Sequence, residues 1–364
     1  MNLFVDSHVF DGILQGSRTY LKELYSELIR QNPSVSFFLG AYDVQNLEKE
    51  FGNHNNVRFV RYRTRNKYFR MAFSIPYLIL KHKIDIAHYQ YISSPLKLSK
   101  EILTIHDVLF LDFPDQFPTV YRVINKLLFK WSARRADYIL TVSDYARKSI
   151  AGHFRISPED IHLIQNGVAE DFFEPVGELP DIKKRFNLEK YLLYVSRIEP
   201  RKNHVLLLKA FVELNLWKEG YNLVFIGSVT LKAPLLDNYL RDLSPEIKAT
   251  VRFIDGSYGN ELKSFYRNCR LFIYPSLAEG FGIPPLEAIA SGVPVLCSNT
   301  TSMSDFSFLK DGFFDPYSVE DLKKKIVQKL HERNCIPDSE ISFVRQNFSW
   351  RKSAIDFADL IFKS

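Results

Sequence analysis

The sequence predicts an α/β protein with two domains. Short apolar runs, typical of buried strands, alternate along the chain with segments whose apolar residues recur at helical spacing. Strands that are apolar on both faces and alternate with helices are typical of parallel sheets covered by helices. A length of 364 residues is more than one ordinary domain needs, so we expect a division into two.

Residues 271–299, LFIYPSLAEGFGIPPLEAIASGVPVLCSN, show this alternation most clearly. We predict a strand at Leu271–Tyr274, a loop at Ser276–Gly282, a helix that begins at Pro284 and a second strand at Val293–Cys297. Proline is tolerated in a first helical turn because the N–H groups there are unpaired. The glycines of the loop leave backbone N–H groups open to an anion.

The same criteria predict the remaining elements. Strands are predicted at 3–6, 36–40, 57–62, 84–88, 101–107, 138–142, 161–164, 191–195, 222–226 and 251–255, and helices near 20–28, 121–135, 144 onward, 203–211, 319–329 and from 348. Ser143 is a predicted N-cap. The acidic segment Glu170–Pro180 contains Pro and Gly, which is typical of a linker. We therefore predict domains at 1–172 and 173–345, followed by a terminal helix at 346–364.

Two carboxylates lie in the stretch 271–299: Glu279 in its predicted loop and Glu287 in its predicted helix. Taken alone, they could be solvated side chains of an ordinary α/β unit. Embedded as EGFGIPPLEAIASGVPV, however, they resemble the paired-glutamate signature of family 4, the retaining nucleotide-sugar glycosyltransferases with a GT-B fold (glycosyl transferases group 1). The resemblance covers nearly the whole chain. It implies two Rossmann-like domains that face each other across a cleft, and a C-terminal helix that crosses back to the N-terminal domain.

Two cations, Arg197 and Lys202, lie five residues apart on the turn between the predicted strand at 191–195 and the next helix. Cations beside a helix N-terminus suit a diphosphate. The resemblance implies the same role, contact with the departing diphosphate. The alternative is two surface cations, and we expect Arg201 between them to point to solvent.

Two more candidate sites follow predicted strands in the first half of the chain, at the edge where α/β proteins bind ligands. Gly16 ends a glycine-bearing loop, residues 11–17, before the first helix. His106 and Asp107 end the strand predicted at 101–107. The resemblance places the loop of Gly16 at the donor diphosphate and His106 beside the donor sugar and the acceptor, whereas without it these would be a plain turn and a helix-cap neighbour.

The resemblance also implies roles for the remaining candidates. Glu279 would accept hydrogen bonds from hydroxyls of the donor sugar, and Glu287 from the ribose. Backbone N–H groups of the Gly280 loop would contact the diphosphate, and the loop Gly256–Tyr258 would lie against the base through its backbone groups. The other residues expected at the donor site are Gly227, Ser228, Ile254, Phe281 and Gly282.

The sequence contains no Asp-x-Asp motif, with which transferases of another fold hold a divalent cation. We therefore expect neither a metal nor another cofactor, and assign charge neutralisation to Arg197, Lys202 and loop amides. The resemblance implies retention of configuration, with front-face attack and no covalent intermediate.

The predicted function is transfer of a hexose from a nucleotide diphosphate sugar to a glycan or lipid-linked acceptor in cell-surface polysaccharide synthesis. Mannose from GDP-mannose is favoured because much of the resembled family uses it, with UDP-hexoses next. The alternative on the same fold is a nucleotide-sugar 2-epimerase. A nucleic-acid partner is not expected, since the net charge of +6 is mild and no nucleic-acid motif is found.

The segment Arg58–Lys83 contains eight Lys or Arg residues and no acid, interleaved with aromatic residues. This composition favours an anionic membrane surface, a solvated helix face being the alternative. No apolar run is long enough to span a bilayer and the first residues do not resemble a signal peptide. Three widely spaced cysteines, Cys269, Cys297 and Cys335, are expected to be reduced core residues. Together these features predict a cytoplasmic protein, peripheral on the inner face of the cell membrane.

Overall fold

The structure is a computed structural model that describes residues 1–12, 16–174, 177–332 and 336–363. Contacts between Cα atoms divide the chain into two compact units. Unit 1 consists of Met1–Gly167 and Trp350–Ser364, and unit 2 of Val168–Ser349. Each unit has its own parallel sheet, so the two are described separately.

The described part of unit 1 contains a parallel sheet of seven strands in the order β3-β2-β1-β4-β5-β6-β7. The order reverses direction at β1, so the crossover helices lie on both faces of the sheet. The strands are β1 (Asn2–Asp6), β2 (Ser36–Ala41), β3 (Val57–Arg61), β4 (Ile86–Gln90), β5 (Lys100–Thr104), β6 (Tyr138–Thr141) and β7 (Ile161–Leu163).

The helices of unit 1 supply these crossovers, and the last one belongs to the C-terminal segment. They are α1 (Gly16–Gln31), α2 (Val44–Phe51), α3 (Lys67–Phe69), α4 (Ile75–His82), α5 (Leu109–Asp112), α6 (Thr119–Arg135), α7 (Asp144–Phe154) and, after unit 2, α17 (Trp350–Phe362). Ser143 caps α7 as predicted, its side chain accepting a hydrogen bond from the Ala146 N–H. A π-helical turn, Arg70–Ser74, joins α3 to α4.

The described part of unit 2 contains a parallel sheet of six strands in the order β10-β9-β8-β11-β12-β13. Two of its inner strands, Leu271–Tyr274 and Val295–Ser298, have no exposed positions, which matches the continuous apolar runs of the sequence. The strands are β8 (Lys190–Val195), β9 (Tyr221–Ile226), β10 (Val251–Ile254), β11 (Leu271–Tyr274), β12 (Val295–Ser298) and β13 (Phe313–Phe314).

The helices of unit 2 again alternate with the strands. They are α8 (Glu170–Phe173), α9 (Ile182–Phe186), α10 (His204–Glu213), α11 (Pro234–Asp242), α12 (Pro245–Thr250), α13 (Gly259–Asn268), α14 (Ile283–Ala290), α15 (Val319–His331) and α16 (Asp338–Asn347). The predicted α/β class with two Rossmann-like sheets is therefore confirmed.

The C-terminal helix α17 packs against α1 of unit 1, although the chain reaches it from unit 2. Four apolar side chains that recur along α17 at spacings of three or four residues are all buried: Trp350, Ala354, Phe357 and Ile361. The Trp350 ring contacts the ring of Tyr20, and the Ser353 hydroxyl donates to the Gln165 carbonyl at 2.5 Å. The predicted return of the last helix to the first domain is confirmed.

One prediction about the connection between the domains is wrong. The segment Glu170–Pro180 does not only link the units, because its first residues fold as α8 and pack on unit 2. Phe172 and Phe173 are buried, and Arg267 donates to the carbonyl groups of both. Apolar burial thus outweighs the acidic composition from which a linker was predicted. Residues 175 and 176 lie outside the described residues.

Cys269 and Cys297 are free and buried, as predicted, and burial raises the pKa of both thiols. Cys335 lies outside the described residues. Among the helices that the structure describes, none is both long and apolar enough to span a bilayer.

The packing of α17 generates a stability prediction. Phe357 is fully buried against the rings of Tyr25 and His88, so Phe357→Ala should cost about 3–5 kcal/mol of unit 1 stability. Exposed Ile355 on the same helix is the matched control, and Ile355→Ala should change the stability of unit 1 by only about 0.5 kcal/mol. Urea denaturation measures both. Equal losses would mean that the helix does not depend on its buried stripe.

Candidate functional site

Most candidate residues of unit 2 lie on loops that follow the strands, at the carboxyl edge of the sheet. The closest pair among them is Lys202 and Glu279: the Lys202 Nζ lies 2.5 Å from the Glu279 Oε1. Both side chains are almost completely buried. The Tyr274 hydroxyl donates to the same oxygen at 2.8 Å. The sequence prediction placed both residues at a ligand site, and the structure shows that they also bind each other.

The charges around Glu279 decide its protonation. Burial alone would raise the pKa of this carboxyl, but Lys202 and Arg201 outweigh it and lower the pKa to about 2. Burial lowers the pKa of Lys202, and the Glu279 carboxylate opposes that effect. Glu279 is therefore a carboxylate at neutral pH, and its short contact with the Lys202 Nζ is that of a charge-assisted hydrogen bond from an ammonium group.

Arg201 does not point to solvent as predicted. Its side chain is only 15% exposed, and its guanidinium binds Glu199 at 2.5 Å and Glu279 at 3.2 Å. It also donates to the Ala278 carbonyl. A short 3-10 turn, Pro200–Lys202, turns the arginine toward the Glu279 loop, where two carboxylates compensate its charge. The sequence contained this signal as the acid–cation pattern EPRK.

A second loop, Thr300–Ser302, fixes the position of Glu279. The Thr301 hydroxyl accepts from the Glu279 N–H at 2.9 Å, and the Ser302 hydroxyl lies 2.9 Å from the Glu279 carbonyl oxygen. Thr301 has a φ of 48°, which is rare for a β-branched residue. Strained backbone of this kind concentrates at functional sites. Sequence reasoning missed these residues, although the hydroxyl-rich run NTTS directly after β12 could have indicated them.

The loop after β8 holds Arg197, which is exposed. Within the described residues, its guanidinium has no ion-pair partner. Gly227, on the neighbouring loop, has a φ of 144°, and a Cβ there would lie 2.2 Å from the Ser196 carbonyl oxygen. Glycine is therefore required at 227 for the backbone beside Arg197 to approach so closely. The Ser228 hydroxyl donates to Asp255 at 2.5 Å, while Ile254 ends β10 next to it.

The helix that carries Glu287 begins after Gly282, whose φ of 96° favours glycine. The Tyr266 hydroxyl donates to Glu287 at 2.8 Å and orients this half-buried carboxylate. The Phe281 side chain lies in an aromatic cluster with Phe306 and Phe348. A ligand can therefore meet only the backbone of Phe281, because its ring belongs to the core. Gly280 lies between Phe281 and the ion pair.

The remaining candidates belong to unit 1. Gly16 is the first residue of α1, and a Cβ added there would meet no described atom within 4 Å. The described protein therefore gives no steric reason for glycine at 16. Of the loop 11–17, residues 13–15 lie outside the described residues. Asp107 accepts a hydrogen bond from the Leu109 N–H at 3.2 Å, as a residue that opens a helical turn does.

His106 lies two residues beyond β5 and is buried. Its Nε2 is 2.6 Å from the Gln90 Oε1, and its ring contacts the rings of Tyr20 and Tyr91. Tyr91 has a φ of 64°, an uncommon conformation for a bulky residue. With the Gln90 oxygen as acceptor, the Nε2 of His106 holds the proton and the Nδ1 remains an acceptor.

A buried hydrogen-bond chain continues from Gln90 into the core of unit 1. The Gln90 amide nitrogen lies 3.3 Å from the His88 Nε2, and the Tyr25 hydroxyl lies 2.5 Å from the His88 Nδ1. Burial lowers the pKa of His106 to about 4 and that of His88 to about 3. Both imidazoles are therefore neutral at physiological pH, so His106 is suited to accept a hydrogen bond rather than to supply a charge.

Of the predicted residues, the structure brings Lys202 and Glu279 into direct contact. The other candidates of unit 2 lie on loops that follow strands, apart from Glu287 on α14 and Ile254 at the end of β10. His106 and Asp107 follow one strand of unit 1, and Gly16 opens its first helix. No group of three His, Cys, Asp or Glu residues able to hold a metal ion occurs in the described ranges.

Comparison with known proteins gives two family matches. The family model described as glycosyl transferases group 1 matches residues 178–340, and the model described as glycosyltransferase family 4 matches residues 14–172. Each match covers most of one unit. Together they account for most of the chain.

Two curated relatives are mannosyltransferases by name. O-antigen chain mannosyltransferase B of Escherichia coli is 30% identical over 266 residues, which span 70% of this chain and 68% of that protein. O-antigen chain mannosyltransferase RfbU of Salmonella typhimurium is 34% identical over 203 residues. That alignment spans 56% of this chain and about half, 53%, of RfbU.

A solved structure shares the fold at low sequence identity. Sucrose-phosphate synthase from Thermosynechococcus elongatus matches with a TM-score of 0.79 and 17% identity, over 100% of this chain and 98% of that one. At this identity, the likeness concerns the fold alone.

The contact between Gln90 and His106 generates a prediction. Replacing Gln90 by Glu should raise the pKa of His106 from about 4 toward its ordinary value of about 6.5, because an adjacent carboxylate stabilises the imidazolium. NMR titration of the His106 ring, assigned by comparison with a His106→Gln variant, measures the change. The control Gln90→Leu removes the acceptor without adding charge and should leave the pKa low. Equal rises in both variants would show that repacking, not charge, controls this histidine.

Proposed function

Since the chain belongs to the glycosyl transferases group 1, family 4 glycosyltransferases, we propose that it transfers mannose from GDP-mannose to a glycan or lipid-linked acceptor in cell-surface polysaccharide synthesis. The names of the two relatives support this choice of sugar and pathway. The observation on which the proposal rests most directly is the buried cluster of Lys202, Arg201 and Glu279 at the carboxyl edge of the second sheet.

Breaking the bond between the sugar and the diphosphate leaves additional negative charge on the phosphate oxygen. Cations held in a buried site stabilise that charge more strongly than they would in water. Arg197 is exposed and able to approach a phosphate, while Lys202 is placed by its contact with Glu279. We infer that Lys202 shares its charge between Glu279 and the diphosphate as the leaving group departs.

The carboxylates would orient the donor. Glu279 is ionised and rigidly held, so it can accept hydrogen bonds from hydroxyls of the sugar ring. Glu287, oriented by Tyr266, can accept from the two vicinal hydroxyls of the ribose. Gly16 would admit the diphosphate to the N-terminus of α1, because no described atom lies within 4 Å of the position that a Cβ would take there.

The transfer step that we propose retains anomeric configuration. The acceptor oxygen forms a bond to the anomeric carbon on the face from which the diphosphate leaves, and the electron pair of the broken bond goes to the phosphate oxygen. That oxygen takes the proton of the acceptor hydroxyl. His106, neutral and with Nδ1 as an acceptor, would hold a hydroxyl of the sugar or of the acceptor in place.

We propose that this step needs no metal ion. Neutralisation by Arg197, Lys202 and loop amides would replace the cation that an Asp-x-Asp motif holds in other transferases. The 2-epimerase alternative has weaker support, because the named curated relatives are transferases.

We also propose that the basic segment Arg58–Lys83 binds an anionic membrane surface. Seven of its eight basic residues are exposed, together with Tyr68, Phe69, Phe73 and Tyr77. Arg70 differs from the others, because it is buried and pairs with Asp6 at 3.5 Å. Seven cations near anionic lipid would contribute about 1 kcal/mol each.

A donor panel tests the proposed function. GDP-mannose at about 100 times its dissociation constant should stabilise the protein by about 2.7 kcal/mol in a thermal-shift assay, more than UDP-glucose does at the same concentration. The Glu287→Gln variant should lose much of this shift, whereas Glu320→Gln, an exposed acid on α15, should not.

The same preparation should release GDP from GDP-mannose in the presence of EDTA, with a short mannoside as acceptor and an α-linked product seen by NMR. Loss of activity with EDTA, restored by magnesium or manganese, would contradict metal independence. Release of an altered sugar without any acceptor would instead indicate an epimerase.

A further inference from the structure

Helix α6 exposes an apolar stripe that neither the core of unit 1 nor the proposed reaction explains. Val120, Ile124, Leu127 and Trp131 recur at spacings of four, three and four residues, so they share one face of the helix. All four side chains are exposed, Val120 to 70% and Leu127 to 64%. The side chains that attach α6 to unit 1 lie on another face and include Phe129, Ser132 and Ala133.

Such a stripe is unusual for a helix of a globular protein, which turns its apolar residues toward the core and its polar residues outward. Contiguous exposed apolar side chains mark surfaces that bind a protein or a membrane. At 17 residues, α6 is about 25 Å long, sufficient to lie along a bilayer surface.

The charges of α6 indicate what covers the stripe. The helix contains five basic residues and no acid, the basic residues being Arg122, Lys126, Lys130, Arg134 and Arg135. A second copy of the chain, packed through the same face in a symmetric dimer, would place these like charges near each other. An anionic bilayer instead offers opposite charge to the cations and an apolar interior to the stripe.

The C-terminal end of α6 is linked through residues 94 and 95 to the basic segment Arg58–Lys83, which we propose docks on the membrane. The Ser94 hydroxyl donates to the Met71 carbonyl at 2.9 Å, and Arg135 donates to the carbonyl groups of Ser94 and Pro95. Core residues of α4 and α6 belong to one hydrophobic cluster, so both helices cover the same side of the sheet. Exposed Leu96 and Leu98 follow Pro95.

We propose that α6 inserts into the membrane on which Arg58–Lys83 docks. Four apolar side chains would enter the acyl boundary of an anionic bilayer: Val120, Ile124, Leu127 and Trp131. This inference deepens the proposed function and rests on its membrane surface, not on its chemistry. The segment Arg58–Lys83 then contributes mainly long-range attraction that salt weakens, while α6 contributes apolar burial that salt does not weaken.

The inserted tryptophan gives a direct test. The full chain is mixed with vesicles of phosphatidylglycerol and brominated phosphatidylcholine, and tryptophan emission is recorded. We expect Trp131 to be quenched by the bromine atoms and its emission to move to shorter wavelength. A Trp131→Phe variant, which still presents an apolar ring, should bind these vesicles but show no quenching.

Vesicle affinity is measured in parallel by sedimentation. A Val120→Ser, Ile124→Ser, Leu127→Ser variant should bind anionic vesicles at least about tenfold more weakly, the effect of withdrawing apolar burial worth about 1.4 kcal/mol. Because the three side chains are exposed, the fold should not change. Leu235→Ser, at an equally exposed apolar position on α11 of unit 2, is the matched control and should bind like the wild type.

Each outcome has a separate meaning. If the triple variant binds normally and Trp131 is not quenched, α6 does not insert. Loss of binding by a variant of the basic segment would then assign docking to that segment alone; its substitutions are Arg61→Ser, Arg63→Ser, Arg65→Ser and Lys67→Ser. If the wild type binds no anionic vesicles, the proposed membrane surface fails together with this inference. If the wild type is a dimer and the triple variant is a monomer, a second copy of the chain covers the stripe of α6, and the proposal is overturned. Transfer to a soluble acceptor is measured for every variant, so a failure of the proposed chemistry is seen independently.

Discussion

The buried ion pair between Lys202 and Glu279 is the contact on which the candidate site of unit 2 depends. Removing two charges from water is costly, and their attraction offsets that cost only with good geometry and additional hydrogen bonds. The surrounding residues supply both: Tyr274 and Arg201 donate to Glu279, and the Tyr194 hydroxyl fixes the Lys202 carbonyl at 2.8 Å. Because these charged groups are held in place before a ligand binds, the site is preorganised to stabilise charge that develops during a reaction.

The parallel sheet explains why these residues meet. Every strand of unit 2 ends at the same edge, so loops distant in sequence become neighbours there. Lys202 and Glu279 are 77 positions apart yet in contact, and Thr301 reaches the Glu279 N–H from the loop after β12. Unit 1 repeats the principle with His106, whose ring is held by Gln90 from the end of β4. In both units, a polar group is fixed by a neighbour from an adjacent strand.

The sequence predicted the elements of the fold well because apolar runs and helical spacing are local properties. It also named Glu279, Glu287, Arg197 and Lys202 as candidates, the glutamates from their motif and the cations from their place on a strand-to-helix turn. It could not predict the pairing of Lys202 with Glu279, the inward turn of Arg201 or the chain from Gln90 to His88, since these contacts join distant segments. The linker prediction failed because composition does not show which apolar residues, here Phe172 and Phe173, find a surface to cover. The exposed stripe of α6 was likewise invisible, because its periodicity alone does not tell an outward face from a buried one.

The central claim is that the charge of Lys202 stabilises the departing diphosphate, and the kinetics of Lys202→Ala test it most directly. The account predicts that kcat falls about a hundredfold or more while KM changes little, since an interaction strengthened in the transition state acts on turnover. Lys202→Arg should recover part of the loss, and Lys324→Ala, at an exposed lysine of α15, should resemble the wild type. Activities are normalised to the folded fraction, because the variant leaves Glu279 buried with less compensation. An unchanged kcat with a raised KM would contradict the claim and limit Lys202 to binding the donor.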